Sequence, residues 1–210
     1  MKILLFASAR HISDRFFAIA GEVGTHIGQQ GHMVVYGGGD VGLMGEAARA
    51  AAAAGSKVKG YVPGIFHKAS PNQPHHTIQT DIVENLFIRK EKMLFDGELL
   101  LVLPGGIGTL DEAAEGLAAN DIQSYIDDRA PMKPIIILNL LDDDGIRYFR
   151  GIKIQLEDMV RNKAVDPERL RMIHFAESVE EGMAVLDSYA ANGIPSAACL
   201  KTGAAPAPGV

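Results

Sequence analysis

Short, almost wholly apolar runs recur along this chain, and between them lie helical stretches and glycine-bearing turns. Residues 3–6, 33–36, 99–103 and 134–138 are the clearest of these runs. They are too short to be helices and lack the alternation of a one-sided strand, so each reads as a strand buried on both faces. Residues 57–62 and 171–175 read as two more strands. Helical spacing runs through Phe17, Ile19, Ala20, Val23 and Ile27 over residues 14–29, and again over 43–54, 81–96, 113–122, 145–162 and 179–190. Strands alternating with helices predict an α/β fold: a doubly wound, Rossmann-like parallel sheet with helices on both faces, in three layers.

A chain of 210 residues, 47% of them hydrophobic, suffices for one well-buried core and is short for two full-sized domains. One domain over residues 1–192 is therefore expected, with a disordered Pro-, Ala- and Gly-rich tail over 193–210. Residues 65–80, aperiodic and holding Pro71, Pro74 and three histidines, read as a long surface loop. Residues 123–133 read as a second, shorter loop. The net charge of −6 gives no basic footprint for nucleic acid. The single Cys199 cannot form an internal disulfide, which fits a reducing compartment. The apolar start is shorter than a secretion signal's core and is followed at once by Arg10 and His11. No stretch reaches the roughly 18 apolar residues of a membrane span. A cytoplasmic location is the expectation.

Two glycine turns follow strands, and in open parallel sheets ligands bind beyond the carboxyl ends of the strands. Gly37-Gly38-Gly39-Asp40-Val41-Gly42 matches G-x-G-x-x-G, but no acidic residue ends the next strand to hold a ribose, which argues against a dinucleotide. It reads as a tight turn that needs positive φ or as the wall of another ligand's pocket. Pro104-Gly105-Gly106-Ile107-Gly108-Thr109-Leu110-Asp111-Glu112 is more specific. Its glycines permit a compact anion-binding turn, and the N–H groups of Gly108, Thr109 and Leu110 would face out of a helix start. Thr109 would cap that helix or donate its hydroxyl to a phosphate. Asp111 and Glu112 are either complements of the helix dipole or chemical groups, with Glu112 the better candidate for chemistry. Arg89 and Lys90 are either a solvated helix face or cations near a covered surface, given their apolar neighbours. No H-E-x-x-H spacing supports a metal, and His75 and His76 are adjacent rather than one turn apart. No P-loop and no nucleophile elbow is present.

With these residues in view, the chain resembles the Lonely Guy (LOG) family of cytokinin riboside 5′-monophosphate phosphoribohydrolases, often labelled lysine decarboxylases. Residues 104–112 fit the family's PGGxGTxxE signature, residues 36–45 its YGGGxxGLMG turn, and Arg89-Lys90 with Met93 its RKxxM element. Order and spacing agree, over residues 2–186. The resemblance implies hydrolysis of the N-glycosidic bond of a nucleoside 5′-monophosphate, AMP or an N6-modified AMP, without metal, redox or other cofactor. It implies Arg89 and Glu112 as catalytic residues. It implies Gly38, Gly39, Lys90, Gly105, Gly106, Ile107, Gly108 and Thr109 as substrate-binding residues. It further implies a homodimer or higher homo-oligomer. A non-catalytic nucleotide or molybdenum cofactor carrier of the same fold is the alternative; it needs the anion turn but not the Arg89 and Glu112 pair. The chain differs from the family at Ala7-Ser8-Ala9-Arg10, at Leu86-Phe87-Ile88 and over residues 118–129, where base and ribose would be read.

Overall fold

The computed structural model describes residues 1–69, 79–127, 129 and 131–196, and its buried runs form parallel strands. The chain divides into two units, Met1–Ala113 and the part from Ala114 onward. In the first unit β1 (Lys2–Phe6), β2 (Met33–Tyr36), β3 (Val58–Pro63), β4 (Gln79–Val83) and β5 (Leu99–Val102) lie in the order β4-β3-β2-β1-β5. All neighbouring pairs are parallel, with Leu4 opposite Val35 on one side and Leu100 on the other. From Ile3 on β1 is buried, as expected for a strand with neighbours at both edges and layers above and below, and every residue of β5 is buried as well.

The helices between them are α1 (Asp14–Gln29), α2 (Gly42–Ala53), α3 (Gly64–Ala69) and α4 (Leu86–Asp96). The chain steps outward from β1 to β4 and then returns across the sheet through α4 to β5. Right-handed crossovers in opposite directions put helices on opposite faces. Consistent with that rule, α1 packs on α2, while α4 touches β1, β2, β3 and β4 on its way back. The expected doubly wound, three-layer α/β arrangement is therefore present. The direction of winding reverses between β1 and β5, so the carboxyl ends of these two strands flank a topological switch point.

Several boundaries differ from the sequence expectations. Residues 64–69 are helical and 79–83 form β4, where a loop and the start of a helix were expected. The centre of that loop, residues 70–78 with His75 and His76, lies outside the described residues. Helix α4 starts at Leu86 because Asn85 caps it: its side-chain oxygen accepts from the N–H groups of Phe87 at 2.9 Å and Ile88 at 3.0 Å. Helix α5 (Ile107–Ile126) begins six residues earlier than expected and ends four later.

The second unit holds the remainder of α5, then β6 (Ile135–Leu138), α6 (Arg150–Arg161), α7 (Pro167–Leu170), β7 (Ile173–Ala176) and α8 (Val179–Asn192). Strands β6 and β7 pair in parallel, Ile135 opposite Ile173. Residues 145–149, expected to be helical, instead turn back so that Arg147 bridges to Leu141. Most of the expected tail, residues 197–210 with Cys199, lies outside the described residues.

Candidate active site

All ten candidate residues belong to the first unit, and three turns at one sheet edge organise them. The turns after β1 and β5 are tied together by the Ser8 N–H donating to the Pro104 carbonyl at 3.1 Å. The Met44 N–H donates in turn to the Ser8 carbonyl, also at 3.1 Å, which brings in the turn after β2. There Gly42 has φ +60°, and a Cβ on it would lie against the backbone of Ala9 and Arg10. Both demands, left-handed backbone and close approach, require glycine at that position. Gly38 also has positive φ and packs on Val62, and Gly39 lies against the Met44 methyl.

The turn after β5 differs in kind. Gly105, Gly106 and Gly108 all have ordinary negative φ. At Gly105 a Cβ would strike the Thr109 side chain, so this glycine is needed for internal packing and Thr109 is buried beneath it. At Gly106 and Gly108 a Cβ would meet nothing within 4 Å. Neither backbone conformation nor packing asks for glycine at these two positions. Ile107 between them is 87% exposed.

Helix α5 opens at Ile107, and Leu110 N–H already donates to the Gly106 carbonyl at 3.0 Å. Leu110 is therefore corrected out of the set of outward donors. The first-turn N–H groups of Ile107, Gly108 and Thr109 have no acceptor within the helix and point from its positive end. The earlier start of α5 also moves Asp111 and Glu112 out of the first turn. Dipole complementation falls off within one turn, so it no longer accounts for them.

Their partners do. Arg89 Nη2 lies 3.1 Å from Glu112 Oε1, with the two side chains only 16% and 12% exposed. Lys90 Nζ lies 2.9 Å from Asp111 Oδ2 and 5.7 Å from the centroid of the exposed Phe87 ring. The adjacent cations of α4 thus each meet one of the adjacent carboxylates of α5, which overturns the solvated-face reading of Arg89 and Lys90. Arg89 Nε is buried and has no hydrogen-bond partner. Such a donor is costly unless something outside the chain satisfies it.

At its far end α4 is held by a charged clasp. Asp96 accepts from Lys2 at 2.7 Å, from Lys59 at 2.9 Å and from the Tyr61 hydroxyl at 2.9 Å. Burial alone would raise the Asp96 carboxyl, but these hydrogen bonds and the Lys59 charge outweigh it and hold the group at about 2. Sequence reasoning missed Gly37, whose backbone lies against the Arg89 guanidinium. It also missed the Lys90–Asp111 pairing, and the clasp. Gly37 stood inside a motif already singled out, but nothing in its spacing reveals a residue 52 positions away. Among the described residues no group of His, Cys, Asp and Glu could hold a metal ion.

A family model described as "Possible lysine decarboxylase" matches residues 44–186. A cytokinin riboside 5′-monophosphate phosphoribohydrolase of Mycobacterium marinum is 32% identical over 182 residues, covering 86% of this chain and 90% of that protein. The enzyme of the same name from Mycobacterium tuberculosis is 26% identical over 183 residues, covering 86% and 90%. That from Rhodococcoides fascians is 29% identical over 175 residues, covering 83% and 82%. Among solved structures, the molybdenum cofactor carrier protein of Chlamydomonas reinhardtii superposes with a TM-score of 0.66 at 20% identity, covering 91% of this chain and 98% of that one. The molybdenum cofactor binding protein of Rippkaea orientalis gives 0.62 at 18%, covering 90% and 95%.

Proposed function

The chain belongs to the Lonely Guy (LOG) family, and from that premise we propose that it is a nucleoside 5′-monophosphate phosphoribohydrolase. It adds water across the N-glycosidic bond, so that the base leaves with a proton and the sugar leaves as ribose 5-phosphate. AMP or an N6-modified AMP is the substrate. Residues 1–192 act as one catalytic domain, in the cytoplasm; among the described residues no helix is long and apolar enough to cross a membrane.

The observation that carries this reading is the Arg89–Glu112 pair beside a glycine turn with two open positions. Gly106 and Gly108 leave room for the 5′-phosphate to approach the backbone, and the first-turn N–H groups of α5, Ile107 to Thr109, hold it. Gly105 lets the turn close on Thr109, whose hydroxyl is given to packing as much as to ligand. Gly38 and Gly39 line the same edge from the turn after β2. Lys90, buried along its stem, adds positive charge next to the phosphate. Holding the phosphate fixes the sugar, so that remote binding energy orients the reacting carbon.

Glu112 is the chemical group. Breaking the bond places positive charge on the ribosyl ring, and a carboxylate beside C1′ stabilises that charge and positions the attacking water. Arg89 pairs with Glu112 and orients it, and its Nε–H is left for a substrate oxygen. The reaction requires no metal or redox cofactor. A carrier of the same fold would need the phosphate turn but not this pair, so the pair favours the hydrolase. The homodimer is carried over from the family resemblance. Incubation with AMP and with isopentenyladenosine monophosphate tests the proposal: free base and ribose 5-phosphate are expected. Tight binding of molybdopterin without release from any nucleoside monophosphate would establish the carrier instead.

A further inference from the structure

We infer that Gly37 is a positioning residue for Arg89: its missing side chain is the seat that holds the guanidinium against Glu112. The inference rests on the hydrolase reading for its effect on catalysis, but the seat itself is a matter of geometry. A Cβ built on Gly37 overlaps Arg89 Nη2 and lies 2.8 Å from Cζ and 3.3 Å from Nε. All three nearest atoms belong to the one guanidinium. Gly37 also lacks the positive φ of Gly38 and Gly42. Backbone conformation therefore does not require glycine at this position, and the nearest group that a side chain there would meet is the Arg89 head group.

The consequence follows from the other contacts of that head group. Arg89 is anchored on α4, one turn inside the Asn85 cap, and its Nη2 reaches Glu112 Oε1 at 3.1 Å. A methyl group on Gly37 forces the guanidinium to withdraw by roughly 1.5 Å to recover van der Waals separation. The side chain is flexible enough to yield, so the fold survives while the pair opens. A displacement of that size at a catalytic group costs about 100-fold in rate.

Three measurements test this. In a crystal structure of Gly37→Ala the Nη2–Oε1 separation is expected to exceed 4 Å; an unchanged pair overturns the inference. In AMP hydrolysis Gly37→Ala is expected to lower kcat about 100-fold with KM within about threefold. In the Arg89→Ala background the same change is expected to alter the residual rate less than twofold, because the group that it displaces is gone. Equal losses in both backgrounds overturn the inference, since Gly37 would then act by another route. Should Gly37→Ala fail to fold, the Gly37→Ala/Arg89→Ala double variant relieves the clash and must melt with Arg89→Ala; a double variant that also fails overturns the seat. If the unaltered protein hydrolyses no nucleoside monophosphate, the hydrolase reading falls while the crystal structure still decides the role of Gly37.

Discussion

Replacing Gly108 by alanine should stabilise this protein and disable it in the same step. Gly108 is the second residue of α5, has negative φ, and has no atom within 4 Å of where its Cβ would stand. Alanine there meets no clash and restricts the unfolded chain, a gain of about 0.4–1 kcal/mol. For a protein of this size that raises the melting temperature by about 1–4 °C. The open space is, on the present account, where the phosphate approaches the backbone. Loss of one hydrogen bond between a backbone N–H and a charged oxygen costs about 1.5–3 kcal/mol, which is roughly a 10- to 150-fold fall in kcat/KM. Gly151 provides a matched control. It is likewise the second residue of a helix, α6, with negative φ and nothing within 4 Å, but it belongs to no candidate site. Gly151→Ala should give the same thermal gain with unchanged turnover. Differential scanning calorimetry and initial rates of base release on the two variants give the answer. Activity retained in both variants would refute the phosphate cradle, and a fall in melting temperature for Gly108→Ala would refute the local geometry.

Other expectations concern the pair, the clasp and the cap. Glu112→Gln should lower kcat at least 100-fold while KM moves only a few-fold, because the charge that it removes acts mainly on the transition state; steady-state kinetics decide this. Asp96→Asn should cost about 2 kcal/mol near neutral pH, since a carboxyl held at about 2 rather than near 3.8 contributes stability in its ionised form. That contribution is fully present above pH 3.8 and is lost as pH falls toward 2, so urea unfolding of the two proteins should converge across that window. Asn85→Ala should cost about 1 kcal/mol by freeing the N–H groups of Phe87 and Ile88, measured as a shift in urea midpoint.

What the sequence made legible follows from which forces act locally. The runs at 3–6, 33–36, 99–103 and 134–138 announced themselves because strands buried on both faces are apolar at every position. β4 did not: it lies at the end of the strand order, and Gln79, Thr80 and Asp81 face partly to solvent, so no apolar run marks it. The start of α5 was hidden for a similar reason. Ile107-Gly108-Thr109 looks like a turn by composition, but a first helical turn needs no strong helix formers, and only the Leu110 to Gly106 hydrogen bond reveals it. The family motifs led to Arg89, Lys90 and Glu112, all of which lie in this one cluster. Which cation meets which carboxylate, and what seats the guanidinium, depend on α4 crossing back over the sheet. That crossing joins residues dozens of positions apart, and no spacing rule encodes it.

The most direct test of the account compares AMP with adenosine at equal concentration in a single assay of base and sugar products. A site built from a phosphate cradle and a carboxylate at C1′ should release adenine and ribose 5-phosphate in a one-to-one ratio from AMP and leave adenosine uncleaved. Equal cleavage of adenosine, or release of inorganic phosphate in place of adenine, would contradict it.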